Sequence, residues 1–248
     1  MQLFFHISDT MANQINEIAS RLGVQSIAIK DWQRSVIEEM VTTNKLIFVT
    51  QPTGAGKSLC FQVAGNIANS ITVIFEPLIS LAEEQYHFLK DHRMPVGRLV
   101  GNDHPDADQN APVLHDLFSQ NSTIRILFLS PEKLMKSPIV KNAITSAARN
   151  GKITRFVFDE AHVLVQWGRG FRPEYMESLV FTAELNIPLA FFTATASTET
   201  MLDIIHNAGK TFDDCYILRG SIDRPNLIFE ETKITTLADM QTKVIEKV

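Results

Sequence analysis

A glycine-rich turn in this sequence has the composition of a site that binds phosphate. It joins an apolar, strand-like run at 46–50 to a helix-forming segment at 59–67. In that context, backbone N–H groups and a helix N-terminus converge on phosphate oxygens. Lys57 would add a positive charge for the β- and γ-phosphates, and the Ser58 hydroxyl would ligate Mg²⁺. The residues predicted to bind the nucleotide here are Gln51, Pro52, Thr53, Gly54, Ala55, Gly56, Lys57 and Ser58.

Two adjacent carboxylates follow another apolar run. The run 156–158 leads directly into Asp159 and Glu160. Asp159 would hold Mg²⁺ through the water shell of the metal, and Glu160 would orient, or take a proton from, the water that attacks the γ-phosphate. Such a pair is also typical of a solvated strand end, but the presence of Lys57 favours the catalytic interpretation. We expect the lysine turn and the paired acids at neighbouring strand tips, facing one triphosphate.

The two motifs together resemble those of superfamily 2 helicases, because the acids begin the sequence Asp159-Glu160-Ala161-His162. Gln51 replaces the first glycine of the general phosphate loop, a change that is familiar in helicase loops. The similarity covers the chain from about residue 30 to residue 229 and implies an ATP-dependent DNA helicase that uses ATP and Mg²⁺. Four further segments resemble motifs of the RecQ family in the family's order: 77–81, 129–134, 192–196 and 223–227.

A glutamine upstream of the phosphate loop contacts the adenine edge in RecQ proteins, with a basic residue three positions before it. Gln33 and Lys30 match those positions. A carboxamide offers adenine both a donor and an acceptor, so it can favour ATP over GTP. On its own, Gln33 would be an ordinary polar residue on an amphipathic helix. With the other motifs present, we predict that both residues contact the nucleotide.

The stretch 166–175 combines three aromatic residues with two arginines. Trp167, Phe171 and Tyr175 are four residues apart, which would also fit one buried face of a helix. Two interior glycines, at about 1 kcal/mol each, and a proline, at about 3 kcal/mol, disfavour that helix. We therefore predict a loop with exposed aromatic rings that stack on the bases of single-stranded nucleic acid, while its arginines meet phosphates. The alternative is a hydrophobic anchor loop without a ligand.

A similar aromatic loop in RecQ proteins senses DNA and signals to the ATP site. Here Arg169 and Gly170 replace the usual His-Asp pair, so DNA-dependent control of hydrolysis is altered if that pair carries the coupling. Thr193 and Thr195 match a Thr-Ala-Thr motif that bridges the ATP-site carboxylates to neighbouring loops, although strand-end hydroxyls bonding the backbone fit equally well. The predicted DNA and coupling residues are His162, Gln166, Trp167, Arg169, Phe171, Arg172, Tyr175, Thr193 and Thr195.

Short apolar runs alternate with stretches of helical spacing along the chain. Apolar runs without polar alternation suit strands buried on both faces of a parallel sheet. We therefore predict an α/β fold, a parallel sheet with helices on both faces, as in the RecA-like lobe of P-loop NTPases. The predicted strands lie at 46–49, 71–75, 126–129, 156–158, 189–192 and 216–218. The predicted helices include 11–22, 32–41, 81–89 and 201–208, and 101–112 is predicted to be a surface loop.

Composition limits the class of protein. The chain has 248 residues, 45% of them hydrophobic, and a formal net charge of −5, so any contact with DNA must come from a local patch. Its two cysteines, Cys60 and Cys215, exclude a four-cysteine zinc module and suit a reducing compartment. Without a signal peptide or a spanning apolar run, we expect no membrane partner and an intracellular location: the nucleus in a eukaryote, the cytoplasm or nucleoid in a bacterium.

The motifs predict three segments and one leading function. Residues 1–29 form a helical extension, 30–229 the first RecA-like lobe, and 230–248 the start of a linker or second lobe. We expect a DNA motor acting on single-stranded or duplex DNA, whose second lobe is not in this chain. Because arginines of that lobe contribute about 10³–10⁵ in rate, the 248 residues alone should bind nucleotide, hydrolyse it very slowly and unwind nothing. The alternatives are a non-catalytic binding module derived from a helicase, and an RNA helicase.

Overall fold

The computed structural model describes residues 2–25, 28–165 and 173–221, with side chains from residue 9 onward. In this part of the chain, seven parallel strands form one sheet in the order β3-β4-β2-β5-β6-β1-β7. The strands are β1 Leu46–Thr50, β2 Ile71–Phe75, β3 Val96–Leu99, β4 Ile126–Leu129, β5 Ile153–Phe158, β6 Leu189–Thr193 and β7 Cys215–Arg219.

Helices connect the strands and cover both faces of the sheet. They are α1 Gln2–Arg21, α2 Asp31–Thr42, α3 Lys57–Ile67, α4 Ile79–Asp91, α5 Asn110–Phe118, α6 Pro131–Lys136, α7 Pro138–Arg149, α8 Pro173–Glu184 and α9 Thr198–Asn207. Short 3₁₀ turns lie at Ala107–Gln109, Ala161–Leu164 and Phe212–Asp214. Parallel strands need such crossover connections, because each chain end must return to the same edge of the sheet.

Two hydrophobic cores lie on the two faces of the sheet. Phe48 of β1 points into a core with helices α5 to α9, whereas its neighbours Ile47 and Val49 point into a core with α1 to α4. The alternation follows from strand geometry, because successive side chains point to opposite faces. Both faces are covered, so the strands are mostly apolar, and the predicted fold class is confirmed. Helix α1 belongs to the second core, since Ile15 and Ala19 are fully buried in it.

The six predicted strands are present, but the sequence patterns missed β3. This strand is short and lies at the edge of the sheet, with Gly97 and Arg98 at its centre. Buried Arg98 pairs with Glu83 and Asp106, so its charge is compensated by contacts that no local pattern predicts. A polar residue with such partners can occupy a buried strand position.

The predicted surface loop 101–112 is partly wrong. Helix α5 already begins at Asn110, and this residue is buried. The Asn110 side-chain amide accepts a hydrogen bond from the Val100 backbone N–H at 2.9 Å and donates one to the Val100 carbonyl at 3.0 Å. The amide thus pairs with the end of β3 as a neighbouring strand would, which holds the start of the helix against the sheet.

Candidate nucleotide-binding site

The predicted site residues lie along one edge of the sheet, where the strands end. The phosphate loop follows β1, the paired acids follow β5, and the threonine motif follows β6. We expected β1 and β5 to be neighbours, and this is wrong, because β6 lies between them. The threonine motif therefore separates the lysine turn from the acids. In an open parallel sheet this edge is where ligands bind.

Glycine is required at two positions of the phosphate loop. Gly54 and Gly56 have φ values of 78° and 91°, in the left-handed region that side chains disfavour. At Gly56 there is a second reason: an added Cβ would lie 2.6 Å from Nε2 of Gln33. Helix α3 begins at Lys57, so the helix N-terminus faces the loop. The glycines of the loop are exposed next to this helix N-terminus, an arrangement that suits a phosphate group.

Lys57 lies across the loop, as a phosphate-binding lysine must. Its side chain is only 8% exposed, and Nζ donates hydrogen bonds to the carbonyls of Gln51 at 3.1 Å and Pro52 at 3.5 Å. The positive charge acts on both acids: it opposes the rise that burial causes in the pKa of Asp159, and it adds to the lowering of the Glu160 pKa by the hydrogen bond from His162. The lysine and the two acids therefore share one electrostatic environment, even though β6 lies between their strands.

Gln33 and Lys30, the predicted adenine contacts, lie against the phosphate loop. The Gln33 Nε2 donates to the carbonyl of Gly56 at 2.9 Å, and its Oε1 accepts from the Lys30 backbone N–H at 2.9 Å. The Lys30 ammonium donates to the carbonyl of Ala55 at 3.1 Å. Both side chains thus stabilise the loop. The contact between Gln33 and adenine stays a prediction, and it requires the Gln33 amide to give up its bonds to Gly56 and Lys30 in favour of the base.

The paired acids have opposite environments. Asp159 is 6% exposed, and burial raises the pKa of its carboxyl to about 6. Glu160 is half-buried, and a hydrogen bond from His162 holds its pKa below the usual value. Glu160 also has a φ of 46°, a left-handed conformation that costs a non-glycine residue of order 1 kcal/mol or more. Strained backbone of this kind persists where the surroundings hold it, often at functional sites.

The threonine motif touches the acids through a histidine. The Thr193 hydroxyl, which is fully buried, lies 2.9 Å from Nδ1 of His162, and the same nitrogen lies 3.3 Å from the Glu160 carboxylate. The Thr195 backbone N–H donates to the Thr193 hydroxyl at 3.2 Å, while the Thr195 side chain is exposed. Thr193 thus connects the strand tips of β5 and β6. Thr193 bonds its local backbone and also contacts His162, so the alternative of a hydroxyl that bonds only the backbone is wrong for this residue.

The comparisons with known proteins agree with this geometry. Residues 30–204 match the family model of the DEAD/DEAH box helicases. The chain belongs to the DEAD/DEAH box helicase family. The ATP-dependent DNA helicase hus2/rqh1 of Schizosaccharomyces pombe is 31% identical over 82% of this chain and 15% of that protein. The ATP-dependent helicase SGS1 of Saccharomyces cerevisiae is 35% identical over 77% and 13%, and the RecQ-like DNA helicase BLM of Xenopus laevis is 33% identical over 74% and 13%.

These relatives confirm the resemblance to RecQ helicases, and solved structures confirm the RecA-like fold. The helicase chain spans about 13–15% of the length of the three relatives named. A hypothetical ATP-dependent RNA helicase from Sulfolobus tokodaii superposes with a TM-score of 0.61 at 17% identity, over 84% of this chain and 57% of that one. The DEAD-box helicase Mss116 superposes with a TM-score of 0.59 at 19% identity, over 77% and 40%.

The prediction that Tyr175 stacks on nucleic acid is wrong. Tyr175 is fully buried near the start of α8, within the core under the sheet. Its hydroxyl donates to the carbonyl of Phe75 at 3.2 Å and also contacts the carbonyl of Asp159. It therefore joins the ends of β2 and β5 directly behind the acids. Pro173, the proline that disfavours a helix through 166–175, is the first residue of α8. At that position the helix does not use the backbone N–H, so proline does not destabilise it.

Replacing Tyr175 by phenylalanine tests this corrected role. Loss of the hydroxyl leaves a buried carbonyl at the tip of β5 without this donor, so we expect the free energy of unfolding to fall by about 1–2 kcal/mol. Urea unfolding measures the change. A ring that only stacked on bases would lose no stability, because phenylalanine stacks equally well. Tyr216→Phe, which removes the hydroxyl 2.7 Å from Ser35 Oγ, is the matched control and should leave metal-dependent nucleotide binding unchanged, whereas Tyr175→Phe weakens it.

The other predicted DNA contacts lie outside the described residues. These are Gln166, Trp167, Arg169, Phe171 and Arg172. The described chain ends on either side of them, at Val165 after the acid motif and at Pro173 before α8. In the described residues, no helix is long and apolar enough to cross a membrane.

The sequence patterns missed one residue of the site, Glu76. It is the first residue after β2, the strand that pairs with β5, and it is 3% exposed next to Asp159. The same sequence pattern that identified Asp159 could have identified Glu76, because each is a carboxylate directly after an apolar run that forms a central strand. Among residues 2–25, 28–165 and 173–221, no group of three or more His, Cys, Asp or Glu is arranged to enclose a metal ion.

Carboxylate and hydroxyl oxygens nevertheless fit a nucleotide-bound Mg²⁺. This ion keeps several waters and takes one or two protein oxygens together with phosphates, rather than an all-protein cage. Asp159 and the half-buried Ser58 supply oxygens of this kind at the strand edge.

Proposed function

We propose that this chain is the ATP-binding motor lobe of a RecQ-type DNA helicase, which couples ATP hydrolysis to movement along single-stranded DNA. One observation carries the proposal: Lys57 and the acids Asp159 and Glu160 share one strand edge and one electrostatic environment. Sequence identity of 31–35% to three helicases supports the DNA substrate. In this proposal residues 30–229 form the lobe, 1–29 precede it, and 230–248 lead towards a second lobe.

Each side chain of the site has a separate role in the proposed hydrolysis. Lys57 and the N–H groups of the loop hold the β- and γ-phosphates, and Gln33 with Lys30 contacts the adenine. Ser58 and Asp159 hold Mg²⁺, which when bound neutralises charge on the phosphate oxygens. Glu160 orients the attacking water or accepts its proton, and its lowered pKa keeps it in the charged form that this requires.

Coupling to DNA would run from the aromatic segment to the acids along two routes. His162 lies between Glu160 and Thr193, so a shift of the threonine motif moves a group that contacts the catalytic carboxylate. Tyr175 ties the start of α8 to the carbonyl of Asp159, and α8 directly follows the segment 166–172. We propose that Trp167 and Phe171 stack on bases and that Arg169 and Arg172 meet phosphates.

Neither alternative function is favoured. A binding module without catalysis has no need for a lysine, two acids and a strained Glu160 at one strand edge. An RNA helicase would use the same ATP site, and the similar RNA helicase structures, at 17–19% identity, support the fold alone.

ATP hydrolysis in a form of the protein that includes a second lobe tests the proposal. We expect single-stranded DNA to stimulate the rate more than RNA does, and Trp167→Ala to remove most of that stimulation while nucleotide affinity remains. Phe212→Ala is the control, because Phe212 is an exposed aromatic residue, at 58%, that lies in the short turn before β7 and is not one of the predicted DNA contacts. Equal stimulation of the wild type and Trp167→Ala would contradict the sensing role. Stronger stimulation by RNA would favour the RNA helicase.

A further inference from the structure

A third carboxylate, Glu76, is buried beside the metal-binding aspartate. Because β2 and β5 pair in register, with Phe75 opposite Phe158, the residues that follow them, Glu76 and Asp159, emerge side by side. The two carboxyl groups lie within hydrogen-bonding distance of each other. Burial, together with the charge of Asp159, raises the pKa of Glu76 well above its usual value. A cluster of acids at this depth is costly unless something positive joins it.

One oxygen of Glu76 is held and the other has no partner. Oε1 accepts a hydrogen bond from Nε2 of Gln85 on α4, and Gln85 Oε1 in turn accepts one from Nε2 of Gln62 at 3.2 Å. Gln62 lies one turn after Ser58 on α3, the helix that follows the phosphate loop. The buried Oε2 has no hydrogen-bond partner in the described structure. The two glutamine amides therefore hold one oxygen of the carboxylate and leave the other unsatisfied.

A polar atom that is buried and unsatisfied needs an explanation, and here the neighbours suggest one. The carboxyl group of Glu76 lies beside that of Asp159, which in its ionised form offers only acceptor oxygens. Two ionised carboxylates cannot bond each other, but both can accept hydrogen bonds from the water shell of a cation. A purely structural role would be filled better by an uncharged amide, which would donate to Asp159 without the cost of a buried charge.

We propose that Glu76 is an additional metal-site residue, which together with Asp159 accepts hydrogen bonds from the water shell of the nucleotide-bound Mg²⁺. The inference rests on the proposed nucleotide site and adds a residue to it. Glu76 does not replace Asp159; it supplies a second fixed acceptor for the water shell, oriented through Gln85. Partners of this outer kind contribute about 10–100-fold to metal affinity in other proteins.

Mn²⁺ binding in the presence of ADP, followed by electron paramagnetic resonance, tests this assignment on the full chain. In Glu76→Gln the amide keeps the size and can still accept from Gln85, yet it supplies a donor where the metal's waters need an acceptor. We expect its Mn²⁺ affinity to fall about 10–100-fold, and that of Glu76→Ser, which removes the carboxylate by shortening the side chain, to fall as far. Glu84→Gln, at an exposed position on α4, is the matched control and should bind Mn²⁺ as the wild type does.

Further measurements separate the possible outcomes. ADP binding in EDTA should be the same in Glu76→Gln as in the wild type, and thermal unfolding should show no loss of stability, because a buried charge has been removed. Wild-type Mn²⁺ affinity in Glu76→Gln would overturn the inference, since Gln imitates a protonated glutamate that merely bonds Asp159. If the wild type bound no ADP with or without metal, the proposed nucleotide site itself would fail.

Discussion

Replacement of Lys57 by alanine is expected to weaken nucleotide binding about 100-fold or more. The Lys57 ammonium lies across the phosphate loop, 3.1 Å from the Gln51 carbonyl, and the residue is only 8% exposed. A charge-assisted hydrogen bond to phosphate in such a partly buried place is worth up to about 3 kcal/mol, which corresponds to roughly two powers of ten in Kd. Isothermal titration with ADP and Mg²⁺ measures the loss.

The exposed Lys45, just before β1, provides the control for Lys57. Lys45→Ala removes one positive charge from the same strand at its other end and should leave the Kd for ADP within a factor of about two. A titration that gave Lys57→Ala the same Kd as the wild type would remove the basis for the nucleotide site. The variant should fold, because Lys57 donates only to carbonyls of a half-exposed loop and its stem is replaced by a good helix former.

Replacement of Glu160 by glutamine is expected to lower the rate of ATP hydrolysis about 10²–10⁴-fold while nucleotide binding is retained. Glutamine has the same shape, can keep the contact with His162 and tolerates the left-handed backbone as glutamate does. It cannot accept a proton from the attacking water. Single-turnover hydrolysis, measured with the second lobe present, separates the chemical step from binding and from product release.

The comparison of Glu160→Gln with Lys57→Ala distinguishes chemistry from binding. Lys57→Ala should affect Kd first, whereas Glu160→Gln should bind ATP and Mg²⁺ as tightly as the wild type and trap the unhydrolysed nucleotide. Glu199→Gln, at an exposed position in the first turn of α9, should behave as the wild type in both assays. Unchanged hydrolysis in Glu160→Gln would assign the reaction to another group and would make Asp159, whose pKa is raised to about 6, the next candidate base.

The buried acids also explain why this edge of the sheet should gain stability from its ligand. Burial raises the pKa of Glu76 and of Asp159 above their values in the unfolded chain, so folding favours their protonated forms. The resulting stabilisation is present at low pH and is lost as the pH rises through the folded-state pKa values. Near neutral pH the charged acids therefore carry an electrostatic cost, which bound Mg²⁺ and nucleotide would offset.

The sequence by itself determined the local parts of this helicase lobe. Six strands contain continuous apolar runs, because strands covered on both faces have few positions where a polar side chain would meet water. The phosphate loop is equally local, since two glycines with positive φ, a lysine and a helix start are all adjacent in the chain. The carboxylates at the end of β5 were recognisable for the same reason. Each of these features depends on neighbours in sequence.

Only the tertiary structure decided the features that depend on which strands and helices meet. The strand order places β6 between the loop and the acids, so that Thr193 contacts His162. Tyr175 has a hydroxyl that could face water, and its burial follows from the packing of α8 under the ends of β2 and β5. Glu76 lies beside Asp159, 83 residues away in sequence, only because β2 pairs with β5. Burial and charge coupling are properties of contacts between distant segments, and no local pattern contains them.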